Sequence, residues 1–136
     1  MIFKQVFDQK SSTYTYIIAS AEGREALIID PVLENVEHYI KLLNELNLRL
    51  VKVIDTHIHA DHVTGASKLK DLTKCSTIMG EHTPAEAVEI KVKDDEYIHL
   101  DNLKIRAMHT PGHTSDSFSF LMNNYLFSGD TLLING

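Results

Sequence analysis

The stretch Asp55-Thr56-His57-Ile58-His59-Ala60-Asp61-His62 constrains this chain more than any other, and it follows directly on the apolar run 50–54. A short apolar run of this kind reads as a buried strand. While the backbone stays extended, alternate side chains share a side, so His57, His59 and Asp61 point one way and His62 opens the helix expected next. Three histidines and an aspartate within six residues bring four polar groups into one small volume. Imidazole and carboxylate together suit zinc, iron or manganese, whereas a structural four-thiolate zinc site is excluded by a chain with 1 cysteine. Taken singly, Asp61 also fits a helix N-cap and any one histidine a satisfied core residue; taken together, the cluster points to a metal.

Two further motifs place polar groups at strand ends. In Thr110-Pro111-Gly112-His113-Thr114 a Pro-Gly turn follows the apolar segment 103–108 and holds His113 at its end. In Ser128-Gly129-Asp130 the glycine lets the backbone turn sharply after the segment 125–127 and presents Asp130. His57, His113 and Asp130 are thus expected from the ends of three strands, with His59, Asp61 and His62 close by.

The rest of the chain supplies the frame. Strands are predicted over 13–18 and 26–29, the second ending at Asp30-Pro31, where proline stops a ladder. From Glu34 the apolar residues Val36, Tyr39, Ile40, Leu43 and Leu46 recur at three- and four-residue steps, the spacing of one buried helix face. Strand, helix and strand 50–54 make a crossover unit, whose strands are parallel neighbours. A second helix is predicted over 62–73, with Val63, Ala66 and Leu69 on one side, followed by strands at 76–79, 97–100, 103–108, 118–122 and 125–127. Turns fall at Asp101-Asn102, Pro111-Gly112, Asn123-Asn124 and Ser128-Gly129. The acidic run Asp94-Asp95-Glu96 reads as a solvated loop.

Composition narrows the classes. A chain of 136 residues with 43% hydrophobic residues suffices for one domain, taken as 1–136, with a real core. Thirteen Lys and Arg against 19 Asp and Glu give a formal charge of −6 with no basic cluster, which disfavours nucleic acid as a partner. No apolar run approaches the roughly 20 residues of a membrane span, and Met1 to Asp8 lacks a signal-peptide layout, so no membrane association and a cytoplasmic location are expected. Cys75 is read as inert packing.

The motifs THIHADH, TPGHT and SGD, in this order and spacing, resemble those of the metallo-β-lactamase superfamily, and the resemblance covers essentially the whole chain. It implies an α/β fold, the αββα sandwich, of which this chain would supply the N-terminal portion. It also implies that His57, His59 and His113 match one metal site, Asp61 and His62 a second, and Asp130 the ligand that bridges both. Zinc, with no redox chemistry, serves hydrolysis by activating water, often as a metal pair. Ferrous iron held by two histidines and one carboxylate keeps coordination positions open for redox chemistry.

Within the superfamily the chain is most similar to the persulfide dioxygenases, whose mononuclear triad matches His57, His113 and Asp130. Ala60, where glyoxalase II-type hydrolases carry a bulkier residue, and the segment Asp130-Thr131-Leu132-Leu133-Ile134-Asn135-Gly136 lean the same way. The resemblance therefore implies one Fe(2+) per chain, a glutathione-type persulfide as the small-molecule substrate, and an oxidoreductase that makes sulfite with dioxygen. Asp61 and His62 are the catalytic candidates. With His59 they would orient the ligands and bound water in a dioxygenase, or hold a second metal, Zn(2+), in a glyoxalase II-like thioester hydrolase. An inactive metal-binding fragment is the third alternative, because family members continue beyond Gly136 and carry a further histidine there. On that account Phe118, Phe120 and Phe127 are expected to lose part of their cover, and the exposed apolar surface to favour a homo-oligomer. His38, His82 and His99 are read as isolated surface residues, and His109 as a candidate to pack under the site.

Overall fold

In the computed structural model, residues 1–57, 64–85, 88–111, 116–128 and the backbone of 132–134 are described. Strands β1 (Ile2–Asp8), β2 (Thr13–Ala19) and β3 (Glu25–Ile29) form an antiparallel meander, after which β3 pairs in parallel with β4 (Arg49–Ile54). Parallel neighbours need a return path over one sheet face. The return here is a single 3-10 turn, Leu33–Asn35, leading into α1 (Val36–Glu45), as the periodicity predicts. Val36, Tyr39 and Leu43 pack on Ile17, Ala26, Ile28 and Val53, while Ile40 and Leu46 are half-buried at the margin of that face. A register shift between Ala26 and Leu27, opposite Leu50 and Lys52, bulges β4. Beyond the bulge Val53 faces the helices and Ile54 the other side of the sheet.

The strands β5 (Ser76–Gly80) and β6 (Ile90–Val92) extend the parallel run to the order β1-β2-β3-β4-β5-β6. Before β5 lies α2 (Ala66–Thr73); Thr64 and Gly65 of the expected helix are not helical, and its first residues, His62 and Val63, lie outside the described residues. Thr64 forms an antiparallel bridge with Val32, and the Gly65 N–H donates to Pro31 O at 2.9 Å, so this backbone is committed to the chain ahead of α1. Gly65 is also sterically required, since a Cβ there would lie 2.8 Å from Val36 Cγ2. Cys75 is buried beneath α2, as expected, and burial pushes its thiol pKa up, keeping it protonated and unreactive near neutrality.

The second sheet is antiparallel throughout: β7 (Tyr97–Leu100), β8 (Leu103–His109), β9 (Phe118–Met122), β10 (Tyr125–Phe127) and β11 (Leu132–Ile134), in the order β11-β10-β9-β8-β7. Its hairpin turns use Asp101 and Asn123 at φ 49 and 53, a left-handed conformation that Asp and Asn tolerate best among residues with a side chain. The two sheets stack face to face. Ile18, Leu27, Ile54 and Ile78 of the first meet Ile98, Ile105, Phe118, Phe120 and Phe127 of the second. Phe118, Phe120 and Phe127 are 1%, 0% and 1% exposed, so the expectation that they lose cover is corrected. They point at the first sheet, where Phe127 sits edge-on to Tyr16 with ring centroids 5.0 Å apart. They therefore supply no exposed apolar surface for association.

The architecture is a mixed α/β sandwich, as the motifs imply, with one helical layer on the first sheet. Both described helices pack there; the outer face of the second sheet carries Tyr97, Arg106, Leu121 and Leu126 in register. Arg106 pairs with Asp95 on that face, and the run Asp94-Asp95-Glu96 is exposed, in line with a solvated loop. No described helix is long and apolar enough to cross a membrane.

Candidate metal centre

Because β3 and β4 run parallel, their C-terminal ends emerge at the same edge of the sheet, and the residues just past them meet. Asp30 follows β3 at φ 55, a region that side-chain-bearing residues seldom adopt and that persists only where neighbours over-determine it. The neighbours are evident. Its N–H donates to Ile54 O at 2.8 Å, and its carbonyl accepts the Thr15 hydroxyl at 2.7 Å. Its carboxylate accepts the Thr56 N–H at Oδ1 and the Thr56 hydroxyl at Oδ2, both at 2.8 Å. Asp30 and Thr56 are each 1% exposed, so these bonds face no competition from water.

His57 is the next residue and is also buried, 8% exposed, with Nδ1 2.9 Å from Thr56 Oγ1. One ring nitrogen is thus engaged by the strand-end network. The adjoining backbone is fixed from both sides: the Asp55 N–H donates to Ile78 O at 3.1 Å, and the Phe118 N–H donates to Thr56 O at 2.8 Å. This last bond joins the first sheet to the second at the site. It needs an unusually close approach, since a Cβ on Gly80 would lie 2.0 Å from Phe118 Cδ1.

The flanks of the other two motifs gather at the same place. His109, the last residue of β8, pairs with Phe118. The Thr110 N–H donates to Ser117 O at 3.0 Å and the Thr110 and Ser119 hydroxyls bond at 2.7 Å, tying the residue after β8 to the start of β9. Phe127, the last residue of β10, pairs with Phe120. The described ends of the three motif-bearing strands therefore converge around Phe118. Of the predicted ligands, His57 is placed; His59, Asp61, His62, His113 and Asp130 lie outside the described residues. Among the described residues no group of three or more His, Cys, Asp and Glu is arranged to hold a metal. The donor chemistry that the motifs supply, imidazole and carboxylate without thiolate, fits ferrous iron or zinc.

Sequence reasoning missed three buried polar residues around the site. Asp30 was read only as a strand end, although a carboxylate closing an apolar run is a usable signal. Thr56 carried no signal of its own within the motif, and Asp116, 5% exposed, had none outside it. The histidines outside the motifs behave partly as read. His38 and His99 are exposed, but His82 is not isolated: its ring stacks on His109 with centroids 4.1 Å apart. His109 in turn lies against Phe118, with centroids 5.3 Å apart, and its backbone N–H donates to Asp94 Oδ1 at 2.8 Å.

Comparison with known proteins bears directly on this arrangement. Residues 9–136 match the family described as the Metallo-beta-lactamase superfamily. The chain is 37% identical over 139 residues to the mitochondrial persulfide dioxygenase ETHE1 of Bos taurus, the match covering 100% of this chain and 54% of the relative. It is 34% identical over 122 residues to a hydroxyacylglutathione hydrolase of Haemophilus ducreyi, covering 89% of this chain and 51% of that protein. The crystal structure of ETHE1 from Myxococcus xanthus superimposes with a TM-score of 0.89 at 39% identity, over 93% of this chain and 56% of that one. The chain spans about half the length of the curated relatives it matches.

Proposed function

Since the chain belongs to the metallo-β-lactamase superfamily, we propose that it holds one ferrous ion between His57, His113 and Asp130 and oxidises a glutathione-type persulfide with dioxygen. The balance is persulfide, dioxygen and water giving thiol, sulfite and two protons. The observation that carries this reading is the match to a persulfide dioxygenase across the whole chain at 37% identity. Two imidazoles and one carboxylate suit ferrous iron and leave part of its coordination sphere to the reactants. The bound ion would supply the one-electron chemistry that lets dioxygen react with a sulfur substrate. The protein's own part is positional: His57 is presented by a buried strand end, and the bond to Thr56 fixes its ring. His59, Asp61 and His62 orient ligands and water by hydrogen bonds, with Asp61 and His62 as the groups closest to proton movement.

A second reading is favoured by the match to a hydroxyacylglutathione hydrolase. There Asp61 and His62 hold a second metal, Zn(2+), and the pair activates water for attack on a thioester carbonyl.

Oxygen uptake separates the two. The Fe(II)-loaded chain is expected to consume oxygen on addition of glutathione persulfide, and Asp130→Ala to fall to background. Thioester hydrolysis by a chain loaded with two zinc ions, with no oxygen uptake by the iron form, would replace the dioxygenase reading with the hydrolytic one.

A further inference from the structure

Counting protons along the strand-end network gives its direction. A hydroxyl has one proton to donate, and a carboxylate has none. Thr56 donates its proton to Asp30 Oδ2 at 2.8 Å, while the Thr56 N–H occupies Oδ1. The hydroxyl oxygen can then only accept from His57, so in the 2.9 Å contact between Thr56 Oγ1 and His57 Nδ1 the ring nitrogen carries the hydrogen. We propose that Asp30, acting through Thr56, locks His57 as its Nδ1–H tautomer, so that Nε2 is the ring nitrogen without a hydrogen and the one that would meet the metal.

The same count applies upstream. The Thr15 hydroxyl donates to Asp30 O at 2.7 Å, so in its 3.0 Å contact with Tyr39 it accepts from the phenol. The Tyr39 oxygen accepts the Val32 N–H at 3.1 Å. Thr15 and Tyr39 are both fully buried, so water does not interrupt the sequence of donors. A polarised run of hydrogen bonds therefore passes from α1 through the first sheet to the backbone of Asp30. It holds that residue at φ 55 with its carboxylate turned to Thr56. Asp30 and Thr56 are positioning residues: they act through the His57 ring and decide which of its nitrogens carries the hydrogen.

This inference rests on the reading of His57 as a ligand, but its test does not need metal. In 15N-histidine NMR of the metal-free chain, at a pH where the imidazole is neutral, His57 is expected as Nδ1–H. Asp30→Asn should reverse it. The amide NH2 donates to Thr56 Oγ1, the hydroxyl proton turns to Nδ1, and the ring proton moves to Nε2. Affinity for Fe(II) alone, titrated anaerobically, is expected to fall by about 10- to 100-fold in Asp30→Asn and in Thr56→Val, and Thr56→Ser to restore both tautomer and affinity. A purely structural role for Asp30 would lower thermal stability without reversing the tautomer. Wild-type His57 found as Nε2–H, or an unchanged tautomer in both Asp30→Asn and Thr56→Val, overturns the proposal; should Asp30→Asn fail to fold, the Thr56 pair decides it. The correct tautomer without Fe(II) uptake would uphold this polarity and count against the metal centre.

Discussion

The parallel strands of the first sheet and the antiparallel second sheet bury themselves in different ways. In β3, Ala26, Leu27, Ile28 and Ile29 are all 0% exposed, because helices cover one face and the second sheet the other. In β7 and β8 the chain alternates: Ile98, Leu100, Ile105 and Ala107 face inward, and Tyr97, His99, Lys104 and Arg106 face out. The difference lies in what happens to polar groups at the strand ends. Next to a strand covered on both faces little water is at hand, so Asp30, Thr56 and His57 are hydrogen-bonded by protein groups, among them one another. On the second sheet, Asp95 and Arg106 meet in the open, where solvent competes for each of them. His57, the ligand proposed above, lies in the first setting.

Mutations can break this contrast. The largest effect is expected from Phe120→Ala, which should cost about 4 kcal/mol in urea unfolding by opening a cavity between the sheets. Its neighbour Leu121→Ala, on the outer face, should cost under about 1 kcal/mol. Equal losses would mean that both faces of the second sheet are covered. Gly80→Ala forces a Cβ against the Phe118 ring and should cost about 3 kcal/mol; a neutral result would show that the sheets separate easily at this seam. Tyr39→Phe leaves the buried Val32 N–H without its acceptor and should cost about 1–2 kcal/mol, measured the same way. Smallest of all, Arg106→Gln should leave the thermal midpoint unchanged within error, and a clear drop would show that the outer face is less open than described.

The elements legible in the sequence are those with a strong apolar period or run. β2, β3, α1, β4, β5 and the strands β7 to β10 all fell within a residue or two of their places. β1, β6 and β11 were not anticipated. In β1, Lys4, Gln5 and Phe7 are exposed at the sheet edge, so the strand is held by its ladder to β2 more than by a buried face. β6 and β11 are three residues long, too short to show a period. The start of α2 was misplaced because the bridge from Thr64 to Val32 joins residues far apart in sequence, and no local pattern records it. At the candidate site, the three motifs stand out in the sequence because several ligand-type residues crowd into few positions. Asp30 and Thr56 were not, since each is an ordinary residue whose role depends on the β3–β4 pairing.

The number of metals and the residues that hold them separate a mononuclear from a dinuclear centre. Anaerobic titration of the metal-free chain with Fe(II) tests this most directly, with His57→Ala, Asp130→Ala and Asp61→Ala alongside. One equivalent is expected, lost in the first two variants and kept in the third. Two equivalents, one of them removed by Asp61→Ala, would contradict the mononuclear triad and place the chain with the dinuclear hydrolases.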